Sequence, residues 1–169
     1  MRRLFAISAL AVGLLAVGSS EASAQGIDTF MFVPGIPGSS VDEAHKDWIE
    51  VLSMSQGVSS SKKAVACSDL SIMKRLDQAG PMLWAAAAVG QVFPEVHIEL
   101  AKRSGSEFPG VLYDIRISNA KVTSTQTSGS SEFPMESVSF SYQSITLTFN
   151  PQDAKGGIHQ GTPQTINCQ

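Results

Sequence analysis

The side chains best able to do chemistry in this sequence are its three histidines and two cysteines. His45, His97 and His159 are far apart along the chain and lie in a predicted loop, a predicted strand and the C-terminal tail. No pair has the spacing at which two histidines of one helix bind zinc, so the sequence does not predict a metal site. His97 falls on an alternating strand, where a histidine most simply faces solvent or a partner subunit.

The two cysteines, Cys67 and Cys168, lie outside any Cys-x-x-Cys motif, which argues against redox catalysis. Two interpretations remain open. The pair could form a structural disulfide, which an oxidising compartment would favour, or the residues could be two free thiols. Sequence spacing does not decide between them, because a bridge depends on the distance between the two residues in the fold.

The other polar residues form no recognisable active site. No serine falls in a Gly-x-Ser-x-Gly motif, the nucleophile elbow of many hydrolases. The run Gly35-Ile36-Pro37-Gly38 is not followed by a predicted helix, so it lacks the helix N-terminus that commonly binds phosphate. Acidic residues occur singly on predicted strand faces. The sequence therefore predicts a protein that is not an enzyme and that needs no cofactor or metal.

Residues 1–24 have the three parts of a secretory signal peptide. Arg2 and Arg3 provide the charged start, residues 4–18 are apolar, and Ala22-Ser23-Ala24 is a small-residue cleavage site. The apolar run is shorter than the roughly 20 residues of a membrane span, which disfavours a retained anchor. We expect cleavage after Ala24 and an exported protein, either periplasmic or extracellular.

Length and charge restrict the remaining chain to one domain of mildly acidic character. The full sequence has 12 basic and 15 acidic residues, a formal net charge of −3. The basic residues occur in scattered pairs, without the patch that nucleic-acid binding requires. No segment after the predicted signal peptide is long and apolar enough to cross a membrane.

Apolar residues recur at every second position over most of the chain, which is typical of half-buried β-strands. In the region 70–77, Leu70, Ile72 and Leu76 form the apolar face, and Lys74 interrupts it. The Ser- and Lys-rich segment 57–63 predicts an exposed loop, and the tail 153–169 lacks periodicity and should be irregular. The predicted strands are 30–33, 48–55, 70–77 and the alternating runs that begin at Val96, Val111, Val138 and Ile145.

One helix is predicted, over Gly80–Gly90. Pro81 suits the first helical position, four consecutive alanines favour the helix interior, and Gly90 suits the left-handed residue that follows a helix. Its residues are apolar on every side, so we expect it to pack against a sheet or a neighbouring subunit.

Four sequence blocks resemble the hemolysin-coregulated protein (Hcp) family of bacterial type VI secretion. The order and spacing of these blocks cover about residues 27–152. In the second block, Gly80 stands where the family usually has serine. The blocks are His45–Ser53, Asp77–Leu83, Ala86–Gly90 followed by Pro94-Glu95-Val96, and Pro134–Phe140 continuing to Gln152.

The resemblance implies a domain over residues 25–152 that is mainly β. In such proteins an antiparallel β-barrel of two packed sheets, with one short flanking α-helix, closes into a six-membered ring. The rings stack into a tube that is expelled with its effector cargo. The implied partners are other copies of the chain and type VI effectors, spike and sheath proteins.

The resemblance also suggests which surfaces meet other copies. Candidate subunit-interface residues lie in the 48–55 strand and in the helix, although their aromatic members could equally be core residues: Trp48, Leu52, Met54 and Trp84. Candidate ring-stacking residues lie in the predicted loop: Gly57, Ser59, Ser60, Lys62 and Lys63. The alternative is an exported barrel that acts alone as an extracellular binding module or secreted effector. Whether the purified chain forms a ring of copies or a monomer would distinguish the tube protein from the solitary module.

Overall fold

The computed structural model describes residues 25–61, 64–104, 107–129 and 133–168. Strands dominate the described chain, and one helix interrupts them between β6 and β7. The elements are β1 Gln25–Phe32, β2 Ile49–Val51, β3 Ser53–Ser55, β4 Val58–Ser61, β5 Ala64–Cys67, β6 Leu70–Arg75, α1 Ala79–Val89, β7 Val92–Ser104, β8 Glu107–Ser128, β9 Met135–Ser141, β10 Ser144–Phe149 and β11 Gln164–Asn167.

Nine strands form one antiparallel sheet. Its main path of paired strands runs β2–β1–β7–β8–β9–β6–β3, while β10 pairs with both β8 and β11. The two longest strands, β7 and β8, pair at the centre of this path. The prediction of a mainly antiparallel β fold with one short helix is confirmed.

The predicted closure into a barrel of two packed sheets is wrong. The path of paired strands is open, with β2 and β3 at its ends, and the second sheet is only the β4–β5 hairpin. Leu52 separates β2 from β3, and its N–H donates to the carbonyl of Met73 at 2.8 Å. The end strands have three residues each, and the adjacent exposed residues Leu52 and Ser53 break their alternation. The two end strands, β2 and β3, therefore meet only through Leu52 and are not paired with each other along their length.

The core is built from alternate residues of the central strands. Val96 and Ile98 on β7 and Ile115 and Ile117 on β8 are fully buried. β9 alternates between buried and half-buried residues along its whole length. Complete burial of each such aliphatic side chain contributes about 1.5–3 kcal/mol, so this shared face holds the sheet in its observed register.

Lys74 corrects the predicted pattern of the 70–77 strand. Its side chain is fully buried, whereas Leu76, predicted to face inward, is 49% exposed because β6 ends before it. The Lys74 ammonium lies 2.5 Å from Glu136 Oε2 and 2.7 Å from Asp77 Oδ1, and it donates to the carbonyl of Arg75. Two carboxylates thus compensate a lysine that would otherwise be too costly to bury.

The helix begins two residues before the predicted first position. The N–H of Ala79 donates to Asp77 Oδ1 at 2.9 Å, which satisfies a backbone donor at the start of the helix. Gly90 follows the last turn with φ 65°, as its predicted left-handed conformation requires. One face packs against the core through Ala79, Gly80, Leu83 and Ala86. Other apolar side chains of the helix remain exposed, including Met82, Trp84 and Val89.

Two segments that were predicted to be irregular contain strands. The predicted loop at 57–63 includes β4, which pairs with β5 in a hairpin. The predicted irregular tail includes β11, which pairs with β10 over four positions. Both strands are short and largely exposed, so neither has the apolar alternation from which a strand is recognised in sequence.

Candidate functional site

The candidate subunit-interface residues lie on separate parts of the fold. Trp48 is half-buried and its ring contacts Phe32, at a centroid distance of 5.5 Å. Leu52, the residue between the two end strands, is 48% exposed, and Met54 on β3 packs against the core. Trp84 is 48% exposed on α1. The structure therefore exposes two of these four side chains substantially and gives the other two packing partners within the chain.

A groove lies beside the first of these surfaces. It has a volume of about 360 Å³ and is lined by residues 27–30 of β1 and 50–52 at the end of β2. Ile27, 55% exposed, and Leu52 give it an apolar rim, and Glu50 adds a carboxylate. Among the described strands, β2 pairs with β1 only over Thr29–Met31, so Ile27 and Asp28 at the groove have a paired strand on the β7 side alone.

The candidate stacking residues lie in and around the β4–β5 hairpin. Ser59 and Ser60 are exposed on β4. Gly57 is half-buried, and its carbonyl accepts hydrogen bonds from the Ser68 N–H at 2.8 Å and the Ser68 hydroxyl at 3.2 Å. Lys62 and Lys63 lie outside the described residues.

The structure joins the two cysteines in a disulfide. Cys67 ends β5 and Cys168 follows β11, and their Cα atoms are 5.5 Å apart. The bond fastens the tail to the hairpin. The Cys168 N–H also donates to the carbonyl of Gln143 at 2.8 Å, which continues the β10–β11 pairing by one residue.

Sequence reasoning missed the role of His45, which was assigned to a loop. Its side chain is 1% exposed and its ring stacks on Phe30, with a centroid distance of 4.2 Å and an angle of 6°. Its Nδ1 lies 2.8 Å from Asp42 Oδ1, and its Nε2 lies 2.8 Å from Glu99 Oε2. His45 thereby pins the segment before β2 to the outer face of β1 and β7.

Local backbone structure prepares this position. Asp42 Oδ1 also accepts the N–H groups of Ala44 and His45, which folds the segment into a turn. Gly38 permits a close approach of backbones, since a Cβ atom there would lie 2.2 Å from the carbonyl oxygen of Trp48. The run 35–38, which the sequence indicates is unsuited to bind phosphate, therefore allows the chain to fold over His45.

Arg103 continues the polar network on one side of His45. Its guanidinium pairs with Asp42 and with Asp28, the latter at 3.1 Å, and lies over the Phe30 ring. Burial raises the pKa of Asp42, but the hydrogen bond with His45 and the charge of Arg103 outweigh it, so the pKa lies below its ordinary value of 3.8.

The polar network continues on the other side of His45 with three residues: His97, Glu99 and Asp114. His97 Nε2 lies 2.5 Å from Asp114 Oδ2 and 3.2 Å from Glu99 Oε1. One potential ligand atom from each of the three residues lies within 4.8 Å of the others, and all three side chains are partly buried. Asp114 Oδ1 accepts from Arg116 Nε at 3.1 Å, and this hydrogen bond raises the pKa of Arg116.

Alternation in the sequence places His97 and Glu99 on one face of β7 and Asp114 on the polar face of β8, but it does not show that the three side chains meet. The meeting depends on the register of β7 with β8, which pairs His97 with Arg116 and Glu99 with Asp114. Chemically, the network consists of carboxylates paired with imidazole and guanidinium groups.

None of the helical structure in the described ranges has the length and hydropathy that a membrane-crossing helix needs.

Comparisons with known proteins agree with the fold. The family model described as "Type VI secretion system effector, Hcp" matches residues 30–149. Protein hcp1 of Pseudomonas aeruginosa is 28% identical over 147 residues, which cover 80% of this chain and 90% of that protein. A solved structure described as a type six secretion system protein is 27% identical with a TM-score of 0.75, covering 84% of this chain and 96% of that one. A type VI secretion system effector from Yersinia pestis is 25% identical with a TM-score of 0.70, covering 83% and 99%. The match spans more than half of the sequence and includes β2 to β10, so this chain belongs to the Hcp family of type VI secretion proteins.

Proposed function

We propose that this chain assembles into six-membered rings that stack into a type VI secretion tube. The observation that carries the proposal is a pair of apolar surfaces on different elements of a chain that belongs to the Hcp family. One surface is the outward side of α1, and the other is the groove beside β2. A repeated contact between two different surfaces of one protein forms a ring when its rotation closes.

The helix supplies the first surface. Trp84 is 48% exposed, Val89 is 77% exposed and Met82 is 40% exposed, while the opposite side of α1 packs on the core. Large apolar side chains grouped on one element are typical of a protein interface, where tryptophan is often among the residues that contribute most to binding.

The groove beside β2 supplies the second surface. Its apolar rim, Ile27 and Leu52, suits an apolar partner surface, and the neighbouring strand edge offers unpaired backbone groups. Met54 supports this surface from the core side, and Trp48 supports the adjoining loop through its ring contacts. The candidate interface residues thus divide between the two sides of the proposed contact.

The β4–β5 hairpin is proposed to contact the next ring. It forms a separate two-stranded sheet, and Ser59 and Ser60 on it are exposed. Lys62 and Lys63 are included in this proposal from their sequence position. Type VI effectors, spike and sheath proteins are the proposed partners of the tube, and the proposed route includes removal of residues 1–24 and export to the periplasm or beyond.

The ring is tested by light scattering and electron microscopy of the purified chain. We expect a mass of six copies and annular particles. Trp84→Asp should yield monomers, because burial of a charged side chain at the contact is unfavourable. Val41→Asp is the matched control, since Val41 is 92% exposed but lies in the segment over His45, and it should leave the rings intact.

Stacking is tested separately. Deletion of residues 59–62 should preserve single rings and shorten or abolish stacked particles. A folded monomer in the wild-type chain, under oxidising and reducing conditions alike, would contradict the tube proposal and favour an exported module that acts alone.

A further inference from the structure

The outer face of the β7–β8 pair contains an unfavourable arrangement of charge. Glu99 and Asp114 are direct partners in the register of the two strands. Like charges at directly opposed positions destabilise a sheet, and the Arg116 guanidinium is hydrogen-bonded to one of these two carboxylates, Asp114, at 3.1 Å. His97 lies beside this pair of carboxylates and directs its Nε2 at both, 3.2 Å from Glu99 Oε1 and 2.5 Å from Asp114 Oδ2.

We propose that His97, Glu99 and Asp114 form a binding site for one first-row divalent transition-metal ion, with Zn²⁺ as the representative ion. One imidazole nitrogen and two carboxylate oxygens are donors that such ions accept. The ion would take the place of a proton between His97 Nε2 and the two carboxylates, and water would complete its coordination. It would neutralise the opposed charges and link β7 to β8.

The separations of the ligand atoms are compatible with an ion at their centre. Ligand atoms about 2.1 Å from a tetrahedral Zn²⁺ are about 3.4 Å apart. The His97–Glu99 separation of 3.2 Å already approaches this value, and the His97–Asp114 separation of 2.5 Å must widen by about 0.9 Å. Side chains that are 14–17% exposed can make such an adjustment and remain open to an ion from solvent.

The surroundings orient each carboxylate as the outer partners of metal ligands do. Glu99 directs its second oxygen, Oε2, to His45 Nε2 at 2.8 Å, and Asp114 directs Oδ1 to Arg116 Nε at 3.1 Å. Each carboxylate therefore has one oxygen held by an outer partner and the other facing His97. Such outer hydrogen bonds commonly fix ligands in protein metal sites. The ring of Trp48 covers His97 edge-on, with a centroid distance of 5.4 Å.

Titration of the chelator-treated protein with Zn²⁺ tests the site. Calorimetry should show one saturable ion per chain, and the melting temperature should rise with added Zn²⁺. His97→Gln should weaken the affinity at least about tenfold, because loss of even an outer partner commonly has that effect. His159→Gln is the matched control: His159 also pairs with a carboxylate, Asp153 at 3.0 Å, but on the exposed tail. It should leave the affinity unchanged.

A second measurement locates the ion independently of protein stability. In the Trp84→Phe background Trp48 is the only tryptophan of the chain, and with excitation selective for tryptophan its emission should be quenched by paramagnetic Co²⁺ bound beside His97, in proportion to occupancy. Zn²⁺ should displace Co²⁺ and restore the signal. If His97→Gln is not folded by circular dichroism, Asp114→Asn is to be titrated in its place. The proposal is overturned if the wild-type chain shows no saturable binding up to millimolar Zn²⁺, if binding disappears with His159→Gln, or if Co²⁺ binds without quenching Trp48.

Discussion

Replacing both cysteines with serine should release the C-terminal strand and lower the stability of the whole domain. The disulfide spans 101 residues between Cys67 and Cys168. For a loop of about 100 residues, the chain-entropy model assigns the crosslink about 4.7 kcal/mol of stabilisation. In a domain of this size each 1 kcal/mol changes the melting temperature by about 2–4 °C. The expected decrease is therefore at most about 10–20 °C.

The local effect should exceed the global one at β11. This strand pairs with β10 at four positions, and Ile166 is its only residue that packs against the core. Partial burial of one isoleucine contributes less than about 1.5–3 kcal/mol, whereas each ordered residue loses about 1–2 kcal/mol of backbone entropy. The Thr146–Thr165 hydroxyl contact, at 2.9 Å, adds little in an exposed position. Without the crosslink, β11 should thus be detached for much of the time.

Hydrogen exchange measured by mass spectrometry tests both effects. In the double-serine variant, peptides covering 164–168 should exchange at nearly unfolded rates, while peptides from the buried centre of β8 should stay protected. The oxidised wild-type chain provides the reference, and the wild-type chain treated with a dithiol reductant should match the variant. Unchanged protection of β11 in the variant, together with an unchanged melting temperature, would refute the reasoning that the disulfide holds this strand.

Three further perturbations test the charge clusters around Glu136 and Asp42. Lys74→Met leaves Glu136 buried without its cation and should destabilise the protein by about 3–5 kcal/mol in urea unfolding, with partial recovery in the Lys74→Met, Glu136→Gln double variant. Gly80→Ser, which installs the family's usual residue, should also destabilise this chain, because the new Cβ would lie 2.5 Å from Glu136 Oε1. Thermal melting measures the loss of stability, with Gly80→Ala, which adds a smaller side chain, for comparison. Burial raises the pKa of Asp42, but the hydrogen bond of Asp42 with His45 and the nearby guanidinium of Arg103 lower this pKa below 3.8. The stabilisation that the ionised Asp42 provides should therefore be full above pH 3.8 and disappear as pH falls through the folded-state pKa. Urea unfolding of the wild type and Asp42→Asn should therefore converge at low pH, and a difference that grows on acidification would contradict this assignment.

The sequence was sufficient for features that arise from local pattern. Alternation along β7 correctly placed Val96 and Ile98 in the core because a strand directs successive side chains to opposite faces. Gly90 marked the end of the helix because few other residues adopt φ 65° without strain. These signals operate within a few residues and do not depend on where the rest of the chain lies.

Features that depend on distant partners were not predictable in the same way. Lys74 reads as an interruption of an apolar face until Glu136, 62 residues away, is placed beside it. His45 reads as a loop residue until Glu99, 54 residues away, meets its second ring nitrogen. In both cases the partner, and not the residue's own hydropathy, makes burial possible. Barrel closure failed for a related reason, since it depends on how two three-residue strands meet around Leu52.

The tail connects these observations to assembly. β11 and Cys168 lie beyond the matched family region, which ends at residue 149, yet the disulfide joins them to the hairpin proposed to contact the next ring. Because β11 in turn pairs with β10, the bond gives the hairpin an attachment to the main sheet that β4–β5 pairing alone does not provide. Such a bond persists in an oxidising compartment, which is where residues 1–24 are predicted to direct the chain. A segment outside the family region is therefore positioned to stiffen the proposed stacking element only after export. We expect an oxidised chain to stack more readily than a reduced one. The rings themselves, for which α1 and the β2 groove are the proposed contacts, should form equally well in both.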